Sequence, residues 1–157
     1  MKYEDLVVTG IEDPEDYKKA FKLLSDEFTE HEHTDLNFYD YVLLVKYKNK
    51  GLGMTTAMRH LPSKVCITDV IVDAEYRREG VALKLCHALA QKVKSDGYKY
   101  LIGFIETTNI PLLRINESVG CHNDTMVGQI MDLEECLPII KQKEMVLKAR
   151  QKTREKE

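Results

Sequence analysis

A chain of 157 residues with 43% hydrophobic content can bury one core and is short for two ordinary domains. Its net charge of −3 lacks the basic excess of a dedicated nucleic-acid binder, so no nucleic-acid partner is expected. No apolar run nears the roughly 20 residues of a membrane helix, and Met1 to Asp5 lacks a signal peptide's apolar core, so the expectation is a cytoplasmic protein without a membrane partner.

Asp5 to Ile11 is short and β-branched and reads as a first strand. Asp13-Pro14 then supplies a cap and a first-turn proline for a helix to about Phe28, with Tyr17, Phe21, Leu24 and Phe28 on its apolar face. Thr29 to Asp40 is polar and without a steady period, a loop or a short helix. His31-Glu32-His33 within it invites a metal reading. Residues two apart on a helix diverge, however, and no third ligand is adjacent, so no metal is expected; a solvated loop or a substrate contact is left. Two apolar runs from Tyr41 to Ala57 flank Lys48-Asn49-Lys50-Gly51, which predicts a hairpin. A second turn, His60 to Ser63, leads into a strand from Lys64 to Val72 and extends the hairpin to an antiparallel meander.

The chain is organised around Cys66 to Gly97. An apolar strand ending Val70-Ile71-Val72 gives way to a loop, Arg77-Arg78-Glu79-Gly80-Val81-Ala82. A helix then keeps Val81, Leu85, Ala88, Leu89 and Val93 on one face and stops at Gly97. The first N–H groups of such a helix have no internal partner and lie at the positive end of its dipole. Gly80 allows close backbone approach, Ala82 adds little bulk, and Arg77 and Arg78 are permanent cations suited to phosphate. The loop reads as a phosphate-binding elbow, with an ordinary solvated basic turn as the alternative.

Tyr98 to Ile105 is predicted as the next strand, parallel to the one before the long helix. Asn109-Ile110-Pro111 opens a second helix that Gly120 closes, and the sheet resumes with Met126 to Leu133. From Glu134 a terminal helix grows increasingly charged. Residues 141 to 157 hold seven Lys or Arg against three Glu, a local balance of +4, and read as a solvated, fraying end in preference to a docking tail. Cys66, Cys86, Cys121 and Cys136 are widely spaced, which predicts reduced, mostly buried thiols and neither a zinc cage nor a disulfide framework.

Thr68 to Ala82 (T-D-V-I-V-D-A-E-Y-R-R-E-G-V-A) resembles the acyl-CoA signature of the GNAT superfamily of N-acetyltransferases. Asn109 to Cys121 is similar to that family's second motif, an Asn that opens a short helix, and the order of elements extends the resemblance over nearly the whole chain. The resemblance implies one domain, 1–157, of α+β class in α/β/α layers. Its sheet would be mixed and largely antiparallel, with a central parallel strand pair splayed into a V-shaped cofactor cleft, and 134–157 would form a C-terminal helix and basic tail. The implied activity moves an acetyl group from acetyl-CoA to a primary amine of a small molecule or a peptide or protein. A non-catalytic acyl-CoA-binding sensor or interaction module is the alternative, and a homodimer is left open.

Carried over by residue, the resemblance implies that Val70, Ile71 and Val72 pair with the pantetheine arm. Arg77, Arg78, Glu79, Gly80, Val81 and Ala82 would cradle the pyrophosphate, and Asn109 would bond the arm from the opposite wall. The Val72 amide would polarise the thioester carbonyl. Asn116 stands on the cofactor where many members carry a Tyr acid near the thioester sulfur; an amide donates a hydrogen bond but releases no proton. Ala74 replaces a proline, Cys121 replaces a Phe, and Glu79 occupies a usually basic or neutral position, where its side chain is expected to point to solvent. Asp69 is the only acid of its strand before the loop and is a candidate base, with a structural role toward loop amides equally open. Strand alternation predicts Thr68 and Asp69 on opposite faces. Glu106 is the second candidate base. The acceptor is expected to enter past residues 29–41, the hairpin and the strand 126–133, where Glu30, Glu32, Asp35 and Asp40 would attract a cation or be ordinary surface acids.

Overall fold

A computed structural model describes residues 1–27, 35–105, 109–124 and 128–154. The chain enters through a single 3-10 turn, Tyr3–Asp5, so the first strand is shorter than its β-branched run predicts: β1 is Val7–Thr9. The Asp13 carboxylate accepts from the N–H groups of Glu15 (2.7 Å) and Asp16 (3.3 Å) and starts α1 (Pro14–Glu27), as the cap and proline predict. The hairpin is β2 (Tyr41–Tyr47) and β3 (Lys50–Leu61). Its two turn residues, Lys48 and Asn49, have φ of 46° and 67°, the positive values that let the turn follow the strands' twist.

β4 (Lys64–Val72) pairs antiparallel with β3, and α2 (Val81–Ser95) crosses over to β5 (Tyr100–Gly103), which runs parallel to β4. Gly97, at φ 90°, ends α2, with the Tyr98 N–H donating back to the Val93 carbonyl at 3.2 Å. After α3 (Ile110–Ser118) the sheet resumes earlier than expected, with β6 (His122–Asp124) before β7 (Gly128–Asp132). β7 inserts between β5 and β6, giving the order β1-β2-β3-β4-β5-β7-β6, mixed and largely antiparallel with one central parallel pair. The architecture is α+β, with the single central parallel pair that the resemblance implies.

Two apolar layers sandwich the sheet. α2 and α4 (Leu133–Arg154) bury Val81, Leu85, Leu89 and Ile140 against one face, where Val65 and Leu101 wait; α1 buries Ala20 and Leu24 against Leu44, Met54 and Ile71 on the other. Because successive strand residues face opposite layers, β2 carries an unbroken apolar run, Val42 to Val45. The expectation of a solvated, fraying end is corrected for α4: Glu144 is buried and Leu147 packs into the main core, so the helix docks along α2 despite its basic surface. The four thiols are free cysteines. Burial pushes Cys86 up to about 11 and Cys121 up to about 12, which keeps both protonated and unreactive at neutral pH. No helix among the described residues is long and apolar enough to cross a membrane.

Candidate functional site

β4 keeps β3 beside it throughout, but β5 accompanies it only where Lys64–Ile67 face Tyr100–Gly103. From Thr68 to Val72 no described strand covers that edge of β4, and an opening begins. The Asp73 N–H donates to the Leu52 carbonyl on β3 at 2.9 Å, which sets the phase of the backbone. Peptide groups alternate sides along a strand, so Ile71 faces β3 while the amides of Val70 and Val72 face the opening. The Val72 carbonyl, on that same side, accepts from Arg77 Nε at 3.2 Å. An edge of unpaired N–H and C=O groups is a template for one more extended, amide-bearing segment.

The strand delivers the chain into a tightly held loop. The Asp73 carboxylate accepts from the Glu75 N–H at 3.0 Å and caps a 3-10 turn, Ala74–Tyr76. Lys50 lies 3.5 Å from Asp73, 3.3 Å from Glu75 and 4.5 Å from the centre of the Tyr76 ring, and so ties the turn to the hairpin. Arg77 also lies 3.6 Å from Glu27 at the end of α1. Arg78 and Gly80 then take φ of 67° and 88°. Arg78 is strained there, because a Cβ crowds the backbone in this region, and such a conformation persists only where its surroundings enforce it.

Gly80 caps α2 without a side-chain hydrogen bond, and the first intrahelical bond runs from the Lys84 N–H to the Gly80 carbonyl at 3.0 Å. The N–H groups of Val81, Ala82 and Leu83 are therefore left for an anion. A Cβ on Gly80 would stand 2.9 Å from Tyr3 Cδ2 and collide with Leu147. The glycine is thus demanded by its own protein's packing as well as by its φ. Glu79 is half-buried, not fully turned to solvent as expected.

Thr68 and Asp69 do not sit on opposite faces. A bulge shifts the β3–β4 register so that Thr56 opposes Asp69 and Ala57 opposes Ile67, with Thr68 the extra residue. Both side chains consequently reach Thr56, whose Oγ1 lies 2.6 Å from Asp69 Oδ2 and 2.5 Å from Thr68 Oγ1. An ionised carboxylate only accepts, so the single Thr56 hydrogen goes to Asp69 and Thr68 donates to Thr56. Thr56 is wholly buried, Asp69 half-buried and Thr68 exposed, which makes a line of hydroxyls from the surface to the carboxylate. It starts where β4 parts from β5.

Asn109 caps α3, its Oδ1 accepting from the Leu112 N–H at 3.3 Å. Asn116 lies in the second half of that helix, half-buried, and its carbonyl accepts from the Cys121 N–H at 3.0 Å. Glu106, His31-Glu32-His33 and Glu30 lie outside the described residues. The other two acids expected near an acceptor are already engaged: Asp35 accepts from the Tyr17 hydroxyl at 2.9 Å, and Asp40 accepts from the Arg59 N–H at 2.8 Å. Sequence reasoning passes over Thr56, Tyr3, His87 and Leu147. Only Glu144 carries a signal, as the one acid among the basic residues of 141–154.

Residues 11–120 match the family described as Acetyltransferase (GNAT) family. Among solved structures, Ard1 from Thermoplasma volcanium superposes with a TM-score of 0.70 at 15% identity, over 82% of this chain and 97% of that one. The ribosomal-protein-S18-alanine N-acetyltransferase from Escherichia coli gives 0.62 at 14%, over 80% and 88%. The structure of yncA from Salmonella typhimurium with its cofactor acetyl-CoA gives 0.67 at 15%, over 83% and 95%. At such identities these structures support the fold alone. No curated protein sequence matches the chain.

Proposed function

The chain belongs to the GNAT acetyltransferase family, and from that premise we propose that it moves an acetyl group from acetyl-CoA to a primary amine of a small molecule or of a peptide or protein. One observation carries the reading: the uncovered edge of β4 leads through two left-handed residues directly into a helix N-terminus that no side chain caps. The donor set suits the cofactor. Two outward amides, of Val70 and Val72, match an amide-bearing arm, and the N–H groups of Val81 to Leu83 with Arg77 and Arg78 match a diphosphate. Acetyl-CoA supplies the activated acetyl thioester when bound.

The chain's own residues supply position and proton transfer. The Val72 N–H is the proposed donor to the carbonyl oxygen that gains charge. An ammonium must lose a proton before it attacks. In the proposed relay that proton passes to Thr68 Oγ1, the Thr68 hydrogen to Thr56 Oγ1, and the Thr56 hydrogen to the Asp69 carboxylate, so that Asp69 ends as the acid. Asn116 offers an amide hydrogen bond to the leaving side without giving up a proton.

Thiol release from acetyl-CoA, measured against a panel of small amines and peptide N-termini and paired with thermal unfolding, tests the reading. Stabilisation by acetyl-CoA together with amine-dependent thiol release is expected. Absence of both overturns the cofactor assignment, and stabilisation without release on any amine overturns catalysis in favour of a sensor.

A further inference from the structure

We infer that Tyr3 and Glu144 are positioning residues for the pyrophosphate loop, so that docking of the N-terminal turn and of α4 beneath Gly80 sets the affinity for the diphosphate part of acetyl-CoA. The inference rests on the cofactor reading above.

The two residues come from opposite ends of the sequence and meet under the loop. The Tyr3 ring and the Leu147 side chain occupy the place where a Cβ of Gly80 would stand. The Tyr3 hydroxyl donates to Glu144 Oε1, and the other oxygen of that carboxylate lies 2.7 Å from His87 Nδ1 on α2. The Tyr3 N–H donates to Gln151 Oε1 at 2.7 Å, and Lys84 and Lys148 stand over the Tyr3 ring at 4.9 and 5.7 Å. Tyr3 is 1% exposed and Glu144 8%. Burial and the Glu144 carboxylate push the Tyr3 phenol well above its ordinary value, so it stays protonated and keeps donating.

The loop needs such support because Arg78 holds a left-handed conformation that no glycine relieves. Lys50 and the Arg77 contact with Val72 brace it on the strand side. On the helix side the described bracing is Tyr3 and Leu147, fastened to α2 through Glu144 and His87. Preorganised donors bind more tightly than donors that must be ordered on binding, so loosening this floor costs affinity for the phosphates and not for the arm lying along β4.

Isothermal titration of the full chain with acetyl-CoA and with S-acetyl-pantetheine, which lacks the diphosphate, separates the outcomes. Tyr3→Phe keeps the ring and removes the hydroxyl. It is expected to weaken acetyl-CoA by about three- to tenfold while leaving S-acetyl-pantetheine unchanged. Glu144→Ala is expected to do the same, and Glu144→Gln, which retains an acceptor for the hydroxyl, to restore most of the affinity. Equal losses for both ligands would make Tyr3 a general stabilising residue and overturn the inference, as would unaltered acetyl-CoA binding by both Tyr3→Phe and Glu144→Ala. Failure of the wild-type chain to bind acetyl-CoA at all would instead overturn the cofactor reading itself.

Discussion

The hydroxyl of Thr56 donates to the carboxylate of Asp69 at 2.6 Å from within the sheet, across a bulge that also turns Thr68 toward the same oxygen. Thr68 bonds Thr56 and Thr56 bonds Asp69, so the proposed base is joined through two hydroxyls to an exposed position on β4. Asp69→Asn is accordingly expected to lower kcat by about 10²- to 10⁴-fold at neutral pH, the range for loss of a general base. Raising the pH, which deprotonates the amine in solution, should recover part of the rate. Thr68→Val, at an exposed site, should lower kcat with little change in Tm. A pH-rate profile with unchanged turnover for Asp69→Asn would remove the relay.

Asn109 is expected to act both as cap and as cofactor ligand, and the two roles separate by substitution. Asn109→Ala removes the acceptor for the Leu112 N–H and should cost about 1 kcal/mol of stability. Asn109→Asp keeps that acceptor and loses the amide donors. If the donors meet the cofactor, Asn109→Asp raises KM for acetyl-CoA at constant Tm; an unchanged KM confines Asn109 to capping.

At Asn116 the expected outcome is graded by what the side chain gives the leaving thiolate. Asn116→Ala should lower kcat by about tenfold, as the loss of one hydrogen bond to a charged group implies, and Asn116→Tyr should restore or exceed the native rate by supplying an acid. Equal rates for all three chains would exclude the position from the chemistry.

The buried Asp16 carboxylate ties α1 to the sheet through Lys46, with Lys19 at 3.2 Å and the Thr9 hydroxyl at 3.1 Å. The hydrogen bond from Lys46 outweighs burial and holds this carboxyl below its ordinary value. A depressed folded value means that the native state resists protonation. The stabilisation is therefore complete above the unfolded carboxyl's value of about 3.9 and is lost as the pH falls through the lower folded one. Asp16→Asn should cost about 2–4 kcal/mol at pH 7, with the deficit shrinking below about pH 4, as urea midpoints at several pH values will read.

Local chemistry made most of the elements legible. Asp13-Pro14, Lys48-Asn49, Gly97 and Gly120 each mark an end or a turn through a cap or a positive φ, which depends on a few neighbouring residues. The stripe Val81, Leu85, Leu89, Val93 likewise announces which side of α2 is buried. β6 escaped notice because a three-residue strand has too few positions to display a period.

By itself, then, the sequence determined the order of strands and helices apart from β6, the glycine loop with its two arginines, and the free helix N-terminus behind it, since each depends on residues adjacent in the chain. Three things were decided only in the tertiary structure. The bulge that gathers Thr68 and Asp69 on Thr56 arises from the register of two strands, and one added residue reverses the alternation on which any sequence reading must rely. The opening at Thr68 depends on where β5 ends its pairing with β4. The floor under Gly80 joins Tyr3 to Glu144 and Leu147 across almost the full chain, and a contact between residues so far apart leaves no local pattern by which either could be recognised.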